Sequence, residues 1–573
     1  MHKIIRFLLL CTVWLGSISF SHRNAPQVTV VIIIDQFAYS YLYKIKPYLS
    51  GGLKTLMQKG IFYQNAHHAH AMPETAVGHA AISTGTFAID HGIIANSWFD
   101  KNGNPTDSDD DDPITAAVFK NKHETYNYGK GPRNLMVENI TDQFVLQSKP
   151  DNPYLAFALS IKSRAAILCA SKLGKAIWFD KQTGRFTSSK AYFKHLPHWL
   201  TTFNAEHNIS ALNPICWNLA LDKKTGAYAF QNIENYTFAS EPSMINKTFF
   251  LPEKNIENDP YVHFYTNPIS NQYLLDLAQT CIQECLTPKT HMLLWISLSS
   301  LDLIGHRFGP DSLEAIDTIY HIDQQLQHFM QYVHKKVGKK NTLWVLTADH
   351  GVLPMQGILQ LEGISTAHKL SPETLISDMN AHIEHTHGFK NMVTHFQMPQ
   401  FYLNSQITQE MNLQELDAIG MSLKKFLLNV PGIKNAWTDQ DLNVFSFDPT
   451  KQELETYFKN QRYPGRSGNV FVQLQPYTLL SKYSKGTTHE SPYTYDTHVP
   501  LVIYQPGSQK HSSVIQKVYL TQLANTLAQI LGTRKPPAST AQVLPGIFDT
   551  RKRNTFGAHA ARTKKIMPHI CAA

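Results

Sequence analysis

After a short leader the chain enters an unbroken apolar run, Val28-Thr-Val-Val-Ile-Ile-Ile34, closed by Asp35. A run of this length without alternation predicts a strand buried on both faces, as in a parallel sheet. Leu293 to Ser299 repeats the pattern and leads to Asp302, and Leu343 to Ala348 repeats it and leads to Asp349. Pro500 to Tyr504 predicts a fourth strand. Between the second and third runs, Leu313, Ile316, Ile319, Ile322, Leu326 and Met330 recur at helical spacing, which predicts a helix over 312–337. Strand, helix and strand in this order predict an α/β fold, a doubly wound and mostly parallel sheet with helices on both faces. Asp35, Asp302 and Asp349 then stand just past strand C-termini, the edge where open α/β sheets bind ligands.

Two stretches break this rhythm. Residues around 170–270 and 352–480 are rich in Asn, Gln, Tyr, Phe and Pro, and read as insertions that form a cap over the active-site edge. The acidic segment Asp107 to Asp112 reads as a solvated loop in preference to a calcium loop. Four Asn-Xaa-Ser/Thr sequons, at Asn139, Asn208, Asn235 and Asn246, carry little weight in so Asn-rich a chain.

Composition adds limits. With 573 residues, 43% of them hydrophobic, the chain can bury a sizeable core, which excludes a wholly disordered protein. The net charge is +8, and part of that excess lies in a basic tail over 551–573. No aromatic–basic alternation or nucleic-acid-binding module accompanies the tail, so it reads as a solvated terminus. At the other end, a positive segment, Met1 to Arg6, precedes the apolar stretch Phe7 to Ile18 and then small polar residues. This predicts a signal peptide over 1–22 and a mature domain over 23–550, exported to the periplasm or secreted. The apolar stretch is shorter than the roughly 20 residues a spanning helix needs, so no stable membrane span is expected after cleavage. Of six Cys, Cys11 leaves with the signal; Cys281 and Cys285 are placed for either a local disulfide or two buried thiols. The oligomeric state is not legible.

The candidate chemistry gathers at the strand ends. Asp302 and His306 stand at i and i+4, on one face of a helical turn, where both can reach one metal. Asp349-His350 follows a strand directly, and His489 and His498 lie near the fourth strand. Asp and His ligation without Cys points to zinc or a similar borderline metal. Each signal is weak alone among 28 His, but three strand-end acidic positions, two with His partners, are hard to attribute to chance. Thr75, at a turn before the Gly78-containing helix start, offers a hydroxyl that a metal could activate; as a bare position it also suits an ordinary helix cap.

Asp35, Thr75-Ala-Val-Gly-His79, His91-Gly-Ile-Ile-Ala-Asn96, Asp302-Leu-Ile-Gly-His306, Asp349-His350-Gly351 and Gly486-Thr-Thr-His489 follow one another in the order of the alkaline phosphatase superfamily. They most resemble its type I phosphodiesterase/nucleotide pyrophosphatase branch, over about 28–532. The resemblance implies the alkaline phosphatase-like sheet and two zinc ions per chain. One would be held by Asp35, Thr75, Asp349 and His350, the other by Asp302, His306 and His489, with His498 the alternative third ligand. It implies Thr75 as the nucleophile, a phospho-threonine intermediate, and Asn96 on a phosphoryl oxygen. Lys162 and Arg164 resemble the Lys-Xaa-Arg pair of the threonine-nucleophile, phosphate-irrepressible bacterial alkaline phosphatases. Such a pair favours phosphate monoesters, which carry more charge than diesters. Small phosphate esters are therefore the expected substrates. The alternative is a nucleotide pyrophosphatase or phosphodiesterase; a non-catalytic binding protein on this scaffold is disfavoured, since Thr75 and every implied ligand are present. Glu490 departs from the pattern, which has a small residue after the His; its carboxylate would either alter the second zinc site or serve as its outer shell.

Overall fold

The structure, a computed structural model, describes residues 25–115, 129–253, 256, 259–444, 446, 452–507 and 511–548. The expected signal peptide and basic tail lie outside the described residues, as does Cys571.

A 10-stranded sheet organises the chain. Its order runs Ser512–Val514, Ile61–His67, His498–Tyr504, Thr342–Thr347, Val28–Ile34, His291–Leu298, Tyr154–Ser160, Lys175–Asp180 and Arg185–Thr187, with Val518–Tyr519 also pairing on Ile61–His67. Val28–Ile34 lies at the centre, parallel to both neighbours, and each of its residues is buried. Burying each such Ile contributes about 1.5–3 kcal/mol, so the run has no stable place except between two covering layers. Among those layers, the helix Leu313–Val337 begins where Ser312 Oγ accepts the Ala315 N–H and ends at Gly338, with His334, Lys335 and Lys336 in its last turn. Its buried face carries Ile316, Ile319, Ile322, Leu326 and Met330.

The α/β class and mostly parallel sheet are as the apolar runs predict. Two details differ. The Pro500 run belongs to a strand, His498–Tyr504, that is antiparallel to both neighbours. The stretch read as an insertion from about 170 opens with two strands of the main sheet, Lys175–Asp180 and Arg185–Thr187. Within 352–480 lies a four-stranded antiparallel sheet, ordered Val393–Gln397, Gln400–Leu403, Val470–Leu474 and Ile433–Thr438. The helices Pro372–His387 and Leu413–Leu427 share its core through Leu375, Met379, Ile383, Ile419, Leu423 and Leu427. The same core takes in Ala76, Ala80, Ile94 and Ala95, so this unit packs directly behind the Thr75 helix and the Asn96 loop.

Cys281 and Cys285 are free thiols one turn apart in the helix Ile269–Cys285. Asn139 is fully buried and caps the helix Ile140–Val145 through a reciprocal bond with Asp142, which excludes it as a glycan acceptor in the folded chain. Among the described residues no helix is long and apolar enough to cross a membrane.

Candidate active site

Parallel strands deliver the site. Asp35 extends the central strand by one residue, its N–H bonded to Leu298 O at 3.0 Å. On one side the strand His291–Leu298 leads into the helix Ser300–Phe308, which carries Asp302 and His306. On the other, Thr342–Thr347 leads to Asp349 and His350. Tyr154–Ser160 leads to Lys162, which precedes the helix Ser163–Ala170. Thr75 is the first residue of the helix Thr75–Thr84, and every residue of that helix is buried.

The Thr75 helix can approach because residue 78 is glycine. A methyl group at Gly78 would lie 2.2 Å from the Asp349 carbonyl oxygen. Gly78→Ala is therefore expected to lower stability by about 1–3 kcal/mol, the usual cost of overpacking a rigid contact. Chemical denaturation reads this directly, and an unchanged midpoint would mean that the helix is free to back away from the strand.

Lys162 Nζ lies 2.6 Å from Asp35 Oδ2, 2.6 Å from Asp302 Oδ2 and 3.1 Å from Thr75 Oγ1. The imidazoles complete the cluster. His306 Nε2 is 3.1 Å and His489 Nε2 3.6 Å from Asp302 Oδ1, and His350 Nε2 is 3.3 Å from Asp35 Oδ1. Asp35, Asp349 and His350 each offer an atom within 4.8 Å of the others, and so do Asp302, His350 and His489. His350 belongs to both groupings.

His498, the alternative ligand, is elsewhere. Its ring stacks between Tyr39 and His67, with centroids at 4.2 and 4.5 Å, and its Nε2 meets Gln64 O at 2.9 Å. Its place at the start of an antiparallel strand, not a loop, directs it there.

Charge dominates the site. Burial, then repulsion from Asp302 and Asp349, pushes the Asp35 carboxyl up. Burial opposes ionisation of Asp302 too, but His306 and Lys162 hold its carboxyl well below the usual carboxylate range. Burial likewise opposes Asp349, which His350 and His79 hold low. Burial disfavours a charged His350, yet Asp349 and Asp35 push the imidazole up to about 10. Burial and the His350 charge push His489 down to about 3.

The donor set fits divalent metal. Each imidazole gives its Nδ1 to a main-chain carbonyl: His350 to Gly351 at 3.0 Å, His306 to Thr487 at 2.8 Å, His489 to Pro73 at 2.7 Å. A carbonyl only accepts, so Nδ1 carries the hydrogen and Nε2 turns its lone pair toward the carboxylates, the arrangement that orients metal-binding His. His350 Nε2, Asp349 Oδ2 and both Asp35 oxygens are buried without a well-aligned hydrogen bond. Buried polar atoms of this kind need a partner. The field that holds a proton on His350 is the field that holds a cation, and the two compete for one lone pair.

Arg164 and Asn96 lie on the Thr75 side. Asn96 Oδ1 accepts the Ala76 N–H at 2.9 Å, so its Nδ2 hydrogens remain for a ligand. Arg164 Nε is buried with no hydrogen-bond partner. Burial pushes the Glu74 carboxyl up, against the pull of the Asn96 N–H and the Arg164 charge. Three further residues had no role assigned from sequence. Gln36 donates its Nε2 to Asp302 Oδ1 at 2.8 Å and its N–H to Asp349 Oδ1 at 3.2 Å, at a φ of 67°. His79 Nδ1 is 2.7 Å from Thr75 O and 3.3 Å from Asp349 Oδ2. Glu74 bonds the Asn96 N–H at 2.5 Å. Gln36 and Glu74 are marked in the sequence only by adjacency to Asp35 and Thr75, and His79 only by its place in the Thr75-Ala-Val-Gly-His79 motif. The acidic segment holds its own cation: Lys130 Nζ stands 3.5, 2.7 and 3.0 Å from Asp107, Asp109 and Asp110.

Fold and edge site together define an alkaline phosphatase-like protein of the α/β class. More particularly, residues 29–498 match the family described as type I phosphodiesterase / nucleotide pyrophosphatase. The chain belongs to that family and is a phosphoric ester hydrolase. It is 28% identical to alkaline phosphatase PafA of Elizabethkingia meningoseptica over 563 residues, 95% of this chain and 99% of that protein. It is 28% identical to alkaline phosphatase PhoV of Synechococcus elongatus, over 91% and 93% of the two chains. Crystalline wild-type PafA matches the structure with a TM-score of 0.79 at 27% identity, over 91% of this chain and 98% of that one.

Proposed function

We propose that the chain is an exported, zinc-dependent phosphate monoester hydrolase that works through a phospho-threonine at Thr75. The observation that carries this reading is the Lys162 ammonium, 3.1 Å from Thr75 Oγ1 and within reach of any phosphoryl group that oxygen carries. Asp35, Asp349, His350 and Thr75 would hold one zinc ion; Asp302, His306 and His489 would hold the other. Bound there, the pair would acidify the Thr75 hydroxyl and draw off charge from the phosphoryl oxygens.

The chain's own groups supply the rest. Thr75 Oγ1 loses its proton and forms a bond to phosphorus, and the ester oxygen leaves with the electron pair of the broken P–O bond. Water then adds to phosphorus, Thr75 Oγ1 departs and takes up a proton, and inorganic phosphate is released. Asn96 Nδ2 and the Arg164 guanidinium grip the non-bridging oxygens, with Lys162 beside them. A monoester presents more charge to these donors than a diester does, which supports monoesters as substrates.

Metal analysis tests the reading. The mature protein is expected to carry about two zinc ions per chain. Dialysis against chelator should cut nitrophenyl phosphate hydrolysis by at least ~100-fold, with zinc restoring it. Full activity in metal-free protein would end the reading.

A further inference from the structure

Glu74 has no part in the chemistry above, yet it is 3% exposed and immediately precedes the nucleophile. Glu74 Oε2 accepts the Asn96 N–H at 2.5 Å, and Asn96 Oδ1 accepts the Ala76 N–H at 2.9 Å. The two bonds close a ring around Thr75. The residue before it fixes the main chain of Asn96, and the residue after it fixes the side chain.

The His489 turn lies against the same segment, where His489 Nδ1 meets Pro73 O at 2.7 Å. Pro73, Glu74 and Ala76 thus each hold a contact from another loop, and Thr75 stands among them.

We infer that Glu74 is a positioning residue: its carboxylate holds the main chain of Asn96 so that the Asn96 amide meets the phosphoryl group at Thr75. The inference rests on the phosphoryl-transfer reading, which gives Asn96 its role. Outer partners of this kind typically contribute 10–100-fold to activity.

The test is a mutant cycle on nitrophenyl phosphate, with kcat and KM measured for wild type, E74A, E74Q, N96A and the combinations. E74A should lower kcat/KM by ~10–100-fold. Glu74→Gln keeps an oxygen that can accept the Asn96 N–H, so it should lose less. In the N96A background E74A should add nothing. The inference is overturned if E74A costs the same factor in both backgrounds, or if it costs nothing in wild type. Should E74A fail to fold, E74Q decides: an E74Q loss that persists undiminished in the N96A background overturns the inference. If N96A itself keeps wild-type kcat/KM, the phosphoryl-transfer reading falls first and takes this one with it.

Discussion

Thr75→Ala is expected to leave a folded, metal-loaded protein that hydrolyses phosphate monoesters at least ~10³-fold more slowly than wild type. The side chain is 1% exposed and its hydroxyl bonds Lys162 Nζ, so the substitution deletes one buried oxygen and one methyl group. Alanine is a good helix former, and position 75 opens a helix whose hold comes from buried neighbours on both sides. The loss of stability should stay within about 1–2 kcal/mol, the cost of one buried hydrogen bond. The six other proposed ligands are unchanged, so bound zinc should fall little. Steady-state rates, zinc content and melting temperature, measured on one preparation, separate the possibilities. A variant with wild-type turnover would mean that water attacks phosphorus directly. A variant with neither zinc nor turnover would make Thr75 a structural ligand rather than a nucleophile. Thr75→Ser should retain much of the rate, because it keeps the oxygen.

The central strands were legible because burial on both faces leaves an unmistakable record: Val28–Ile34 has no polar side but Thr29. Strand direction left no such record. The Pro500 run is as apolar as its parallel neighbours, and its antiparallel course is imposed by the path of the chain. Lys175–Asp180 escaped notice for a different reason. It lies near the sheet edge, has polar ends, and follows a helix of only eight residues. The unit within 352–480 was hidden by its composition, since its apolar residues are spread over two helices and four short strands instead of concentrated in runs.

The site divides along the same line. Asp35, Asp302 and Asp349 could be picked out because each follows a strand that announces itself. The preference for His489 over His498, 9 positions further on, rests on its Gly-Thr-Thr-His context and its distance to Pro500, as the family resemblance has them. What separates them in space is that His498 begins a strand and stacks on Tyr39. The Glu74–Asn96 and His489–Pro73 contacts were invisible for a stronger reason: they join three segments that meet only once the sheet is assembled. Glu490 stood out as a departure from the motif, whereas Glu74 had no sequence signal beyond preceding Thr75.

Replacing both Lys162 and Arg164 by alanine is expected to change what the enzyme prefers, not only how fast it works. Lys162 Nζ and the Arg164 guanidinium are the two cations proposed to face the non-bridging oxygens. If each donor is worth a typical charge-assisted bond, their joint loss should cut monoester kcat/KM by at least ~100-fold. A diester offers them one charge less and puts a second organic group where they point, so its kcat/KM should fall much less, or rise. The metal site must be controlled for, because Lys162 also lies 2.6 Å from Asp35 Oδ2 and from Asp302 Oδ2. Removing an ammonium from between two carboxylates makes the pair more attractive to a divalent cation, so zinc content should hold or increase. Arg164→Ala alone leaves those carboxylates untouched and should produce the specificity change in part. The decisive measurement is the ratio of monoester to diester kcat/KM in wild type, R164A and the double variant, at one pH and saturating zinc. A ratio that falls stepwise through the series assigns discrimination to these two side chains. Equal losses on both substrates would remove the argument for monoesters and place the chain with the phosphodiesterases of its family.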